Sequence, residues 1–144
     1  MSFLSSMGIS ASALTATRLR MEVITENMAN SNTTRTENGD PYRRKYVVFQ
    51  EKANDRDFAA FFNRAQNASG GVRVLYVGED MSEFKYDYNP THPDADEDGY
   101  VRYPNVETVQ EMVDMMSAYR AYEANITALN TFKDMALKTL EIGK

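Results

Sequence analysis

Residues 106–142 read VETVQEMVDMMSAYRAYEANITALNTFKDMALKTLEI, and their periodicity decides the fold. Met112, Met115, Tyr119, Tyr122, Ile126, Leu129, Ala136 and Leu140 follow alternating steps of three and four, with Lys133 as the one break. That spacing places them on one stripe of a helix. Val109, Val113, Met116, Phe132 and Met135 widen the apolar surface, and Pro104 punctuates the chain just upstream, where a helix can start. A helix of about 35 residues is about 50 Å long at 1.5 Å per residue. A compact domain of this size has a radius of gyration of only about 15 Å. The helix is therefore expected to project and to pack against something beyond its own domain.

Working outward, the N-terminal stretch from Ile9 to Ala29 reads as a second helix, free of glycine and proline and rich in good helix formers. Met7, Leu14, Met21 and Met28 recur every seven residues, and Thr17 and Ile24 fill in the intervening positions of an a/d stripe. Leu19 and Val23 carry apolar surface onto a second face, so this helix needs more than one neighbour. It is expected to end in the cluster Asn27, Asn30, Ser31, Asn32, Thr33 and Thr34, whose side chains compete for backbone hydrogen bonds.

Between the helices the period changes. Tyr46–Phe49 and Val72–Val77 are β-branched and aromatic; Phe84, Tyr86 and Tyr88 alternate with polar residues; Tyr100, Val101 and Tyr103 form a last short strand. Gly39-Asp40-Pro41, Gly70-Gly71 and Asn89-Pro90 are turn signals. Phe58–Phe62 reads as one short helix or a loop anchor. The chain so divides into a first helical part (1–35), a β-rich insert (36–105) and a second helical part (106–144). The expected fold is mainly α with a small β-rich insert, its paired N- and C-terminal helices forming a coiled-coil-like core.

Composition narrows function. Acidic residues outnumber basic ones 21 to 16, a net charge of −5, which is the wrong sign for a surface that meets nucleic-acid phosphates. There is no cysteine, so disulfides and thiolate metal sites are excluded. No apolar run approaches the roughly 20 residues that span a bilayer, so no direct membrane insertion is expected. Phe3 and Leu4 run straight into Ser5 and Ser6 without a basic n-region, so no cleavable signal peptide is expected.

Catalytic and metal chemistry find little support. The single histidine, His92, sits among prolines with no cysteine to activate, and local hydrogen bonding accounts for it. Asp94-Ala95-Asp96-Glu97-Asp98-Gly99 opens like a calcium loop, but its twelfth position is Asn105 instead of the bidentate Glu, and no helix pair flanks it. It reads as an acidic solvated turn, and no metal, cofactor or catalytic residue is assigned. Arg43-Arg44-Lys45 reads as a solvated strand end. The Met and Tyr stripe is the main signal: either an internal core or an inter-subunit seam, where both residue types are enriched.

Ser10-Ala11-Ser12-Ala13-Leu14-Thr15-Ala16 and Asn27-Met28-Ala29-Asn30-Ser31-Asn32-Thr33-Thr34 resemble the N-terminal signature of bacterial flagellar axial proteins. Tyr119-Arg120-Ala121-Tyr122-Glu123-Ala124-Asn125 resembles their C-terminal motif. Arg35 to Lys45, His92 to Val106 and Lys138 to Lys144 are similar to the proximal-rod members of the flagellar basal-body rod family. Residues 55–81 do not align with that pattern. The resemblance implies a structural subunit of the proximal rod that polymerises through its terminal helices and transmits torque from motor to hook. Its implied partners are other rod proteins, further copies of itself and the flagellar type III export apparatus. Its implied place is the basal body, in the rod crossing the periplasm. The subunit interface is expected at Leu14, Met21, Ile24, Met28, Met112, Met116, Tyr119, Ile126, Leu129 and Leu140. Asn27, Asn30 and Asn125 are read as polar register specifiers, with a helix cap as the equal alternative for the first two. The rival readings are a helical module docking a partner groove and, last, a hydrolase built on the acidic loop.

Overall fold

The computed structural model describes residues 3–52 and 70–142. The chain runs α1 (Phe3–Ala29), β1 (Lys45–Glu51), β2 (Val72–Glu79), β3 (Lys85–Tyr88), β4 (Tyr100–Tyr103) and α2 (Thr108–Ile142). The architecture is mixed helix and strand: two long helices and two small antiparallel sheets. The segment Phe58–Phe62 lies outside the described residues.

α1 starts at Phe3, ahead of the expected Ile9, and runs through Gly8. A glycine there costs about 1 kcal/mol relative to alanine, a cost that helix packing offsets. At its end, the backbone N–H and the side-chain amide of Asn30 both donate to the Glu26 carbonyl, at 3.0 and 2.9 Å. α2 starts two residues after Val106; the Glu111 N–H donates to the Glu107 carbonyl at 2.9 Å.

The helices pack antiparallel. Asn27 meets Glu111, and Arg20 meets Asp114 one turn further along α2. From that register the helices are level at this junction, and α2 extends about seven residues, roughly 10 Å, past Phe3. The face of α2 that is buried or half-buried runs Glu111, Met115, Ala118, Tyr122, Asn125, Leu129, Phe132, Ala136. This corrects the expected stripe. Met115, Tyr122, Leu129 and Ala136 lie on it, but Met112, Tyr119, Ile126 and Leu140 are exposed. The other half of the seam is Glu111, Ala118, Asn125 and Phe132. Phe132 is apolar in the sequence, but Glu111, Ala118 and Asn125 are small or polar and do not mark the stripe.

β1 and β2 pair antiparallel, Lys45 opposite Glu79 and Glu51 opposite Val72, with a bulge between Val48 and Phe49. This ribbon lies along α1: the Val72 N–H donates to Ser12 Oγ at 3.0 Å. β3 and β4 pair with Tyr88 opposite Tyr100, the two rings edge-on at 5.3 Å. Val101 is fully buried on the inner face of that ribbon, whereas Tyr86, Tyr88 and Tyr100 are exposed. The turn between them closes through Gly99 at φ +85°, where a Cβ would come within 2.9 Å of the Tyr88 ring. Only glycine satisfies both constraints without strain.

Among the described residues the buried apolar side chains are seven: Ala16, Val23, Ile24, Tyr42, Val101, Val106 and Ala118. Eighteen large apolar ones are exposed, nine of them on α2. Exposure on that scale marks interaction surface.

Candidate assembly site

The exposed surface of α2 is a ridge. Val109, Met112, Met116, Tyr119 and Ile126 repeat the three-four spacing about a third of a turn round from the seam. Met112, Met116, Tyr119 and Ile126 are 49, 55, 57 and 37% exposed. Leu140 is exposed beyond the end of α1, and Leu129 is half-buried on the seam. On α1, Ile24 is buried, and Leu14, Met21 and Met28 are half-buried. The candidate interface residues therefore split between two faces, one closed within the chain and one open.

What aims these faces is a polar lock at the junction of α1, β1 and α2. Asn27, 1% exposed, is its centre. Its Oδ1 accepts the Tyr42 hydroxyl at 2.9 Å and the Lys45 N–H at 2.9 Å. Its Nδ2 donates to the Lys45 carbonyl at 2.8 Å and to Glu111 Oε2 at 3.1 Å. Asn27 therefore pairs with β1 as a further strand would, while it bridges to α2. Glu111 is 0% exposed and accepts Arg44 Nε at 2.6 Å. Arg44 also reaches Asp114 at 3.6 Å and Asp80 at 3.9 Å, and its N–H donates to Asn105 Oδ1 at 2.8 Å. Asn105 in turn donates to the Asp80 carbonyl at 2.9 Å and Ser82 Oγ at 2.8 Å, tying in the segment after β2.

A buried carboxylate survives only when its charge is matched and its lone pairs are filled. Here one guanidinium and one amide do both, and no buried side-chain nitrogen or oxygen among the described residues lacks a partner. Burial pushes the Tyr42 phenol well above its ordinary range, with the Glu26 and Glu111 carboxylates adding to the effect. Tyr42 therefore stays a neutral donor. The lock has no slack: a shift of one residue between the helices would strand Glu111.

Of the three asparagines expected to set register, Asn27 alone bonds across elements. Asn30 caps α1, and Asn125 Nδ2 turns back to the Ala121 carbonyl at 2.8 Å. The basic run Arg43-Arg44-Lys45, expected to be solvated, is half-buried and carries the lock. Arg43 lies over the Phe84 ring at 4.3 Å, and Lys45 pairs with Glu26. Tyr42, Glu111 and Asn105 carried no motif. The one available signal was Glu111 standing on the seam's three-four spacing, a charge where a core residue belongs.

The acidic loop is a largely exposed turn, with Asp96, Glu97 and Asp98 at the surface and Asp94 half-buried. Asp94 Oδ2 accepts the Thr34 hydroxyl at 2.8 Å, and Asp96 Oδ1 accepts the N–H groups of Asp98 at 3.1 Å and Tyr100 at 2.8 Å. Among the described residues no three acidic, histidine or cysteine side chains converge as a metal ion would need. His92 Nδ1 accepts the Asp94 N–H at 3.1 Å.

Comparison with known proteins places these features in a family. Residues 7–35 match the family described as flagella basal body rod protein, and residues 97–142 match the flagellar basal body rod FlgEFG protein C-terminal family. The flagellar basal-body rod protein FlgC of Bacillus subtilis is 49% identical, covering 96% of this chain and 97% of its own length. The same-named protein of Salmonella typhimurium is 44% identical over the full length of both chains. That of Aquifex aeolicus is 38% identical over 100% of this chain and 99% of its own.

Proposed function

Because this chain belongs to the flagellar basal-body rod protein family, of which it is a structural rod subunit, we propose that it polymerises in the proximal rod through its terminal helices. The observation that carries this reading is the row of exposed Met, Tyr and Ile on α2, next to a seam already filled by α1. Among the described residues, eighteen large apolar side chains are exposed and seven apolar ones are buried, which leaves surface for assembly to cover. The same reading gives the helical pair a coiled-coil-like role, extended by neighbouring subunits, with residues 36–105 as an insert carried on it. Leu14, Met21, Ile24 and Leu129 are then the closed side of the interface, and Met112, Met116, Tyr119, Ile126 and Leu140 the open side, with Met28 beside the junction.

In this reading the protein is not an enzyme; its work is mechanical. Torque passes along packed helices whose contacts repeat without closing. Partners are other rod subunits and further copies of the chain, delivered by the type III export apparatus to a rod that crosses the periplasm. No cleavable signal is invoked.

The test is a triple replacement, Met116→Ser, Tyr119→Ser and Ile126→Ser. Purified, the variant should keep the helical circular dichroism and melting temperature of the wild type, because all three side chains are exposed. In flagellated cells it should abolish rods and swimming. A variant that folds, enters basal bodies at wild-type level and supports swimming would sink the reading. It would favour a module that docks one partner through another face.

A further inference from the structure

A groove of about 640 Å³ runs between α1 and the end of the β1–β2 ribbon. Ala16, Leu19, Val72 and Val74 are its apolar lining, and Arg18, Lys52 and Arg73 stand on its rim. One carboxylate, Glu22, lies there too, held by Arg18 at 2.9 Å. Along α1 the groove extends from Ser12 to Glu22, ten residues or about 15 Å. The ridge segment Met116–Ile126 on α2 also spans ten residues. In that segment Met116, Tyr119, Glu123 and Ile126 form one exposed row, and the carboxylate falls in the middle.

We propose that the α2 ridge of one copy of this chain seats in the α1–β2 groove of a second copy. The two surfaces agree in apolar content and in charge, since the Glu123 carboxylate, with Arg120 beside it, meets a rim with three cations and one acid, where Arg18 already holds Glu22 and Arg73 bonds Gln50. Ridge and groove belong to different elements of the same molecule, so a copy whose groove is filled can still offer its own ridge, and the contact made head to tail builds along an axis. The proposal rests on the reading that the terminal helices build the rod, and adds which surface meets which.

The chain has no cysteine, so single-cysteine variants report contacts cleanly. Thr15→Cys lies in the groove lining and Met116→Cys on the ridge; both side chains are exposed. The two variants, differently tagged, are co-produced as the sole source of this protein in flagellated cells. Basal bodies are isolated and oxidised. The expected product is the mixed Thr15→Cys/Met116→Cys dimer, in several-fold excess over either homodimer. It should also exceed a control pairing Met116→Cys with Asp87→Cys on β3. A Met116→Cys homodimer as main product, or a mixed yield no greater than the control, overturns the proposal. Chains present in basal bodies with either of those outcomes leave the rod reading standing while the ridge-in-groove contact fails.

A charge exchange decides the matter should a cysteine chain not enter basal bodies. Glu123→Lys should cut swimming at least about threefold, as like charges face each other. With Met116 level with Thr15, Glu123 falls level with Glu22 and the Arg18 that holds it, so adding Arg18→Glu should restore more than half of it. A folded double variant without recovery overturns the proposal.

Discussion

Replacing Arg44 with methionine should do more harm than replacing the carboxylate it serves. In Arg44→Met, Glu111, 0% exposed in the wild type, keeps only the Asn27 amide, at 3.1 Å, as a protein donor. Removing one partner of a buried pair costs about 3–5 kcal/mol. Arg44 is 27% exposed, so some water enters the vacated space, and we take the low end, about 3 kcal/mol. Glu111→Gln keeps the shape and one acceptor for Arg44, and should cost about 2 kcal/mol. The double replacement Arg44→Met/Glu111→Leu removes both charges together. Asn27 then keeps its 2.8 Å bond to the Lys45 carbonyl. That chain should fall within about 1 kcal/mol of the wild type, a coupling of about 2 kcal/mol or more between the sites. Urea unfolding followed by circular dichroism at 222 nm reads all of these. For a urea slope of about 2 kcal/mol per molar, Arg44→Met should lower the midpoint by about 1.5 M. A double variant whose loss equals the sum of the losses of Arg44→Met and Glu111→Leu measured singly would refute the lock as a coupled unit.

Three further outcomes follow from the same geometry. Ala118→Leu forces bulk into a seam position that is 1% exposed and should cost about 1–3 kcal/mol, whereas Met116→Ala on the open ridge should stay within about 0.5 kcal/mol; thermal melts of both purified chains check this. Tyr42→Phe loses the bond to Asn27 and should cost about 1 kcal/mol at pH 7. The raised phenol contributes fully below the ordinary tyrosine value near 10 and loses its contribution as pH climbs past it. Wild-type stability should therefore fall faster than that of Tyr42→Phe above pH 10, as read by urea midpoints across that range. Gly99→Ala puts a Cβ at φ +85° and against Tyr88, at a cost of about 1–3 kcal/mol. Hydrogen exchange at the Tyr100 N–H, which donates to Asp96 Oδ1 at 2.8 Å, should speed up while the α2 amides stay protected.

The two long helices and the four strands among the described residues were legible because each rests on a local signal: a 3.6-residue period, β-branched and aromatic runs, and turn residues between them. The seam of α2 was legible only in half. Met115, Tyr122, Leu129 and Ala136 read as core and lie on it. Ala118 and Glu111 do not score as core, yet one lets the helices close and the other anchors their register. Met112, Tyr119 and Ile126 score as core and lie outside. A sequence read for hydrophobicity cannot distinguish an apolar side chain buried by its own chain from one waiting for a neighbour, since both satisfy the same period. The lock was hidden for a different reason. Asn27, Arg44, Asn105 and Glu111 are far apart in sequence, and their meaning arises only when three elements meet.

A chain of this kind faces two opposed demands, and the lock answers both. On the proposed reading its ridge stays apolar to bind neighbours, so the monomer does not use that surface for its own core. The helix pair also cannot be held by apolar contact alone, because apolar contacts along a helical seam tolerate slippage by one heptad, whereas register decides where the ridge points. A buried, hydrogen-bonded charge adds little net stability but makes the wrong register costly. Asn27 bonded to two elements at once, with Glu111 filled by Arg44, is such a device: it fixes helix, strand and helix in one arrangement. On the proposed reading it then leaves the exposed stripe free for mass action to complete as subunits are added.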